Sequence, residues 1–280
     1  RFTNVGPIAR NTFAYPFENF SADIGKDQLR KLGPFDDSWT TLVFVDGRFE
    51  KRLSTTNLRN NGMTVSSLGK ALESNQGSIE QYLTRYVEPT RNGFTAVSTA
   101  FLKDGAVIIL PENTQDIPPI HVMFITSKRQ NSFVTYPRLL MVIGKNSTAT
   151  LVESYLSLTQ NKYFTNGVSE IVVQEGAQID HFRLMQESAQ AYHVTTTQVD
   201  QHKDSVFNST SFARGAAIAR NQLHVGLDAP GATCTLKGLY LTDGNQHIDN
   251  NINIDHLKPH TRSDLSFKGI LADKSKAVFS

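Results

Sequence analysis

Cys234 is the only cysteine in 280 residues, so no disulfide can form within the chain, and a reducing compartment is expected. No apolar run approaches the roughly 20 residues of a membrane-spanning helix, and no membrane association is expected. Charge of one sign is also missing. Lys and Arg number 28 against 26 Asp and Glu, a net charge of +2, and no basic run suggests a nucleic-acid groove. The aromatic residues lie mostly within apolar stretches, which argues against a base-stacking platform. Neither G-x-x-x-x-G-K-[ST] nor G-x-G-x-x-G occurs, so the chain is not expected to hydrolyse ATP by itself. No G-x-S-x-G follows a strand, which argues against a hydrolase nucleophile. No signal or transit peptide is visible. The sequence opens at Arg1 without Met and stops at Ser280 inside an apolar run, so it is expected to be a piece of a longer product.

What is present reads as a globular protein, with 39% hydrophobic and 19% charged residues, in one domain or two. Residues 1–40 are irregular, broken by Pro7, Pro16, Gly25, Gly33 and Pro34, with Trp39 pinning the arm to the body. Asp46-Gly47 between Thr41–Val45 and Arg48-Phe49 predicts a hairpin, since type I′ turns need positive φ at both central residues. A helical period follows over 66–87. Ser78 and Gln81 form a capping box there, Ile79, Tyr82, Leu83, Tyr86 and Val87 share a face, and Pro89 is the stop. Phe94–Leu102 reads as another short helix.

From Gly105 the texture changes to short strands at close intervals: 106–110, 120–126, 139–143, 149–155, 168–173, 178–184, 193–199, 206–212 and 217–225. Helices of useful length do not alternate with them, which argues against βαβ units. The pattern fits a sandwich, a barrel or a β-helix. Gly-Ala pairs at 105–106, 176–177, 215–216 and 231–232 favour the β-helix, with Gly105, Gly176, Gly215 and Gly231 as corners of successive coils. The expected fold is therefore mainly β: a parallel β-helix over 105–280 behind a small N-terminal α/β region over 1–104. Such a stack has an open end, which further chain or another protein must complete.

Two chemistries suggest themselves. Cys234, His247, His256 and His260 are suitable metal ligands. Their spacing matches no familiar site, and Pro259 interrupts the last pair. The plainer reading is corner hydrogen bonds for the histidines and core packing for the thiol. Paired carboxylates, Glu153 with Glu170 or Asp249 with Asp255, would make a carbohydrate-active β-helix enzyme if about 5–9 Å apart in a groove. The alternative is surface charge beside turns.

An ordered set of motifs carries a resemblance over nearly the whole chain. It begins with Arg1-Phe2-Thr3, Leu42–Phe49, Phe94-Thr95-Ala96 and Asp104-Gly105. Pro119-Ile120-His121, Pro137-Arg138, Glu153-Ser154-Tyr155, Tyr163–Asn166 with Glu170, Gln186–Ser188, Tyr192-His193 and Arg220-Asn221 follow. The most specific part is Gly238-Leu239-Tyr240, Gln246-His247-x-Asp249, His256-x-x-Pro259, Ser263, Lys268-Gly269-Ile270 and Val278-Phe279. In these the chain is similar to the SufB/SufD family of iron–sulfur cluster assembly proteins, and its Leu42–Phe49 hairpin resembles the SufD branch more than the SufB branch.

The resemblance implies a right-handed parallel β-helix and a complex with a SufB-like paralogue and a SufC-like ATPase. That complex builds clusters from iron and persulfide sulfur. It implies a scaffold that supports iron acquisition, not a catalyst, and leaves open a homodimer when the paralogue is absent. The late coils would form the pairing surface and carry a Cys-x-His pair, and C-terminal helices would bind the ATPase. No Cys-x-His occurs here, so that role does not pass to Cys234. His247, Asp249 and His256 match family motifs, which coil packing explains equally well. No cofactor is expected on this stretch alone, the iron–sulfur cluster belonging to the complex. The implied compartment is the cytoplasm, or the plastid stroma in a plant.

Overall fold

A computed structural model of the chain describes residues 3–14, 24–57, 62–87 and 92–280; Arg1, Phe2, Pro16 and Pro89 lie outside them. The N-terminal part supplies helices α1 (Gly6–Ala9), α2 (Lys26–Leu32), α3 (Leu68–Glu80) and α4 (Gly93–Ala100), and strands β1 (Thr40–Val45), β2 (Arg48–Phe49) and β3 (Thr64–Ser67). The Asp46-Gly47 hairpin forms as its sequence predicts, with φ of 50° and 78° at the two central residues and Phe44 opposite Phe49.

The chain then winds coil upon coil. One sheet receives β4 (Ala106–Leu110), β7 (Arg138–Ile143), β9 (Phe164–Val173), β11 (Tyr192–Gln201), β13 (Ile218–Leu227), β15 (His247–His256) and β17 (Lys276–Phe279). The other receives β5 (Ile120–Thr126), β8 (Thr148–Ser157), β10 (Gln178–Gln186), β12 (Val206–Arg214), β14 (Thr233–Thr242) and β16 (Arg262–Leu271). A two-residue strand, β6 (Val134–Thr135), pairs with β9. Successive strands of each sheet pair in parallel. Gln178 lies opposite Thr148 and Val206 opposite Gln178, offsets of 30 and 28 residues. This is a parallel β-helix flattened into two faces, with a small α/β region before it. β1 pairs in parallel with β5, so the early residues also enter the stack.

Inward side chains of both sheets form one core, from Leu42 and Ile108 at one end to Cys234, Leu236 and Ile248 at the other. The outer faces of the early coils are covered as well. Leu29 of α2 packs on Val43, Met123, Ile125 and Leu156 of the eight-stranded sheet. Leu68, Ala71 and Ile79 of α3 pack on Val107, Leu140, Val142 and Val172 of the nine-stranded sheet. Covering both faces is why β5 and β7 read as unbroken apolar runs instead of alternating.

The helical period over 66–87 resolves differently from its sequence reading. α3 begins at Ser67, whose side chain accepts from the Lys70 amide, and ends at Glu80, so residue 78 lies inside the helix; the Ser78 side chain itself is outside the described residues. Beyond it the chain turns, with φ of 63° at Thr84. The backbone amides of Thr84, Tyr86 and Val87 donate to Glu170 at 3.1–3.2 Å. A carboxylate from the β-helix takes the amide donors that a longer helix would have used.

The corners also depart from the expected pattern. Asn113, Asn146, Gly176, Asp204, Gly231 and His260 each carry positive φ between a strand of the nine-stranded sheet and the next of the eight-stranded sheet. Their turns hydrogen-bond along the stack, the Asn146, Gly176 and Asp204 amides donating to the next coil's Glu175, Lys203 and Pro230 carbonyls at 2.9–3.0 Å. Gly176 and Gly231 therefore share a corner with residues that are not glycine, because Asn and Asp tolerate left-handed backbone. Gly215, with φ of 90°, is at the opposite corner, where a Cβ would stand 2.1 Å from the Glu187 carbonyl oxygen. Gly105 has no positive φ; its Cβ would lie 2.4 Å from the Arg138 carbonyl oxygen, so close chain approach explains it. The four glycines are not one repeated corner.

Candidate functional site

Strand alternation aims every second residue of β8, β10 and β12 at β9, β11 and β13. Most of these inward residues are apolar, but a vein of polar ones crosses the middle coils. Glu153, Arg183 and Ser211 align through the β8–β10–β12 register, and Thr195, Asn221 and Asn250 through β11–β13–β15. Glu153 is fully buried and is the hub. It accepts from Tyr155 Oη and Ser169 Oγ at 2.7 Å each and meets His181 Nε2 at 3.1 Å. His181 Nδ1 meets Ser209 Oγ at 3.2 Å. Burial alone would raise the Glu153 carboxyl, but hydrogen bonding and charge from His181, with Arg183 nearby, hold it at about 2. The Tyr155 hydroxyl is pushed well above its ordinary value by burial and by the Glu153 charge.

Arg183 organises the second half. Its guanidinium lies 5.1 Å over the Tyr155 ring and donates to Thr195 Oγ1 at 2.6 Å and Asn221 Oδ1 at 3.0 Å. It also reaches His193 Nε2 at 3.0 Å, while His193 Nδ1 meets Glu187 at 2.8 Å. Asn221 Nδ2 passes the ladder to Asn250 Oδ1 at 3.1 Å. A cavity of about 40 Å³ lies against His181, Arg183, Ser209, Asn221 and Asn250. Arg183 Nε and Asn250 Nδ2 are buried donors without a protein partner. The space holds a few waters and nothing larger. Ser209, His181 and Glu153 have the connectivity of a hydrolase triad, but an acyl substrate has no room beside them. The vein instead fixes how coils stack, since its buried polar partners meet only when the coils are in this register.

The sequence candidates fall elsewhere. Cys234 is 2% exposed in the apolar core, its thiol pushed up to about 12 by burial. His247 and His256 begin and end β15, roughly 30 Å apart at strand rise. His247 meets Thr3 Oγ1 at 3.1 Å, His256 meets Thr261 and Ser263 at 2.8 and 3.0 Å, and His260 is a corner residue with φ of 60°. Among the described residues no three His, Cys, Asp or Glu side chains stand close enough to hold a metal ion. This geometry corrects the metal-site reading: the three histidines do not converge.

The carboxylates do not pair either. Ser169 Oγ contacts Glu153 inside the stack, so Glu170, one residue on, points outward, where it meets Arg138. Asp249 accepts from Thr3 Oγ1 at 2.5 Å, and Asp255 binds His224 at 2.7 Å, six residues along the same strand. Neither of these two pairs is built for glycoside cleavage. The interior vein was not singled out from sequence, although polar residues at every second position of His181-x-Arg183, His193-x-Thr195-x-Thr197 and Ser209-x-Ser211 are its signal.

These observations define a parallel β-helix protein whose polar residues serve stacking within the coils. Comparison with known proteins narrows the class. The family described as SUF system FeS cluster assembly, SufBD core domain, matches residues 124–280, and the SufBD protein N-terminal region matches 7–122. The chain belongs to the SufB/SufD family. It is 30% identical to an iron–sulfur cluster assembly SufBD family protein of Synechocystis over 85% of this chain and 54% of that protein. It is 24% identical to the iron–sulfur cluster assembly protein SufD of Escherichia coli, over 94% and 60%. Against SufB of Bacillus subtilis the figures are 22%, 91% and 55%. The chain thus spans about half the length of the curated relatives it matches.

Proposed function

We propose that this chain is the β-helix portion of a SufD-like scaffold subunit, pairing with a SufB-like paralogue and a SufC-like ATPase in iron–sulfur cluster assembly. The observation that carries this reading is the family match, which continues from residues 7–122 into 124–280 along a single stack. The SufD branch is favoured by the Leu42–Phe49 hairpin. The subunit turns over no substrate of its own, which is consistent with relatives named as assembly proteins. It supports iron acquisition, and the cluster is cargo of the complex, not a resident of this stretch. The late coils lie on the pairing side. The compartment follows the complex: bacterial cytoplasm or plastid stroma, the latter in keeping with a relative named as chloroplastic in Arabidopsis thaliana. Among the described residues no helix is long and apolar enough to cross a membrane.

The test is co-expression of the full gene product with its SufB-like and SufC-like neighbours. We expect one complex containing all three by light scattering, with iron- and sulfide-dependent visible absorbance. The residues 1–280 fragment alone should not retain the ATPase. A SufB–SufC complex that assembles clusters equally well while this protein elutes alone would end the proposal.

A further inference from the structure

The outer face of the eight-stranded sheet is half covered. Over β1, β5 and β8 the cover is α2, with Leu29 fully buried on Val43, Val45, Met123 and Ile125. The helix ends where Gly33 touches Leu156 of β8 and Leu184 of β10; a Cβ there would lie 3.2 and 3.5 Å from them. Beyond that line the face stays apolar, and among the described residues no helix covers it. One outward row runs Leu184, Phe212, Leu239, Lys268 through the registers of β10, β12, β14 and β16. The rows on either side are Phe182, Thr210, Lys237, Ser266 and Gln186, Arg214, Leu241, Ile270. Phe182, Leu239 and Ile270 are 45%, 38% and 61% exposed, an apolar patch of the kind that marks an interaction site.

Within these three rows the charge has one sign, while Asp180 and Asp264 begin and end the next outward row, beside Phe182 and Ser266. Arg214, Lys237 and Lys268 are exposed, and among the described residues no salt bridge involves any of them. No Asp or Glu occupies the three rows between β10 and β16. Lys237 flanks the central apolar row on one side, Arg214 on the other, and Lys268 ends it. Strands about 4.8 Å apart nearly match the roughly 5.4 Å of a helical turn, so a helix crossing them sets one turn over each strand. A groove of about 470 Å³ lies beside Leu32, Arg214, Leu241 and Ile270, at the end of α2, with Glu187 and Asp243 also in its lining.

We propose that this face docks an amphipathic helix of a partner protein, about three turns long, with acidic residues flanking its apolar stripe. It continues the line of α2 across β10–β16, its apolar residues on Phe212 and Leu239 and its carboxylates on Arg214, Lys237 and Lys268. The proposal rests on the face of the sheet and not on the family match, so the two readings fail independently.

The test uses the chain and a fluorescein-labelled 14-residue peptide, helix-stapled, with Leu at i, i+3, i+7 and i+10 and Glu on both flanks. A second peptide carries Lys at every Glu position, and vesicles of phosphatidylcholine with phosphatidylserine serve as a third probe. Anisotropy should show the Glu peptide binding at least tenfold tighter than the Lys peptide, and weakening as salt is raised. Arg214→Glu with Lys237→Glu and Lys268→Glu should reverse the preference. Leu239→Asp should abolish binding of both peptides while circular dichroism stays unchanged, and it carries the test alone if the triple variant fails to fold. Equal affinity for the two peptides, no binding of the Glu peptide, or vesicle binding in its place would overturn the proposal, the last by making the face a membrane surface.

Discussion

β7 and β16 are strands of the same parallel stack, yet they have opposite textures. β7 is Arg-Leu-Leu-Met-Val-Ile and is buried along its whole length; β16 is Arg-Ser-Asp-Leu-Ser-Phe-Lys-Gly-Ile-Leu and is mostly exposed. Backbone pairing does not separate them, since both lie in parallel ladders. Cover does. α3 and the turns after it lie on the outer face of β7, while among the described residues no helix packs over β16. In a parallel β-helix the composition of a coil reports how many of its surfaces are closed. Substitutions of one kind should therefore cost much in the early coils and little in the late ones.

The largest contrast is expected between two carboxylates on the outside of the nine-stranded sheet. Glu170 is fully buried, paired with Arg138 and holding three backbone amides of the N-terminal turns. Glu170→Gln leaves Arg138 as an uncompensated buried charge, a loss of about 3–5 kcal/mol. At roughly 2–4 °C per kcal/mol for a chain of this size, the melting temperature should fall by about 6–20 °C. Asp255 is 42% exposed against His224, and Asp255→Asn should lose less than about 1 kcal/mol. Paired thermal melts check this, and equal shifts would mean that cover does not set the cost.

The second contrast is between the corners. Gly215→Ala forces a Cβ to 2.1 Å from the Glu187 carbonyl at φ of 90°, and should destabilise by roughly 2–4 kcal/mol in urea titrations. Asn146→Gly, at a left-handed position of the opposite corner, should change stability by less than about 1 kcal/mol. Loss of similar size at both would show that the corners are equally strict.

These contrasts also explain what was readable in the sequence. Strand positions and the Asp46-Gly47 hairpin were legible because alternation and turn chemistry are local. The boundary of α3 was not, because Glu170, some ninety residues away in sequence, decides where the amides of Thr84, Tyr86 and Val87 go. The corner column was hidden for a related reason: Asn146, Asp204 and His260 do there what glycine was expected to do. The candidate histidines were grouped by nearness in sequence, but a strand carries neighbours apart, and His247 and His256 end on different corners. The vein from Glu153 to Asn250 was present as polar letters at inward positions. Its meaning depended on the register between coils, which only the stack supplies.

The smallest expected effect concerns His121 of β5, fully buried in an early coil with its Nε2 on Ser154 Oγ at 2.9 Å. Its ordinary value is 6.5, and burial holds it at about 3. Between those values the unfolded chain binds a proton that the folded chain refuses, so stability contributed by the neutral ring is complete above the upper value and drains as pH falls towards the lower. The slope is about 1.4 kcal/mol per pH unit for one such group. Glu153 follows the same direction in a lower window, because its carboxyl is held at about 2 against an ordinary 4.5. Urea titrations at pH 6 and pH 5 sit above that second window. His121→Gln keeps a donor for Ser154 and removes the titrating ring, so its stability should fall less than the parent's over this step, by about 1 kcal/mol. Identical slopes for parent and variant would mean that the ring takes its proton in the folded state, and that the early coils admit solvent as the late ones do.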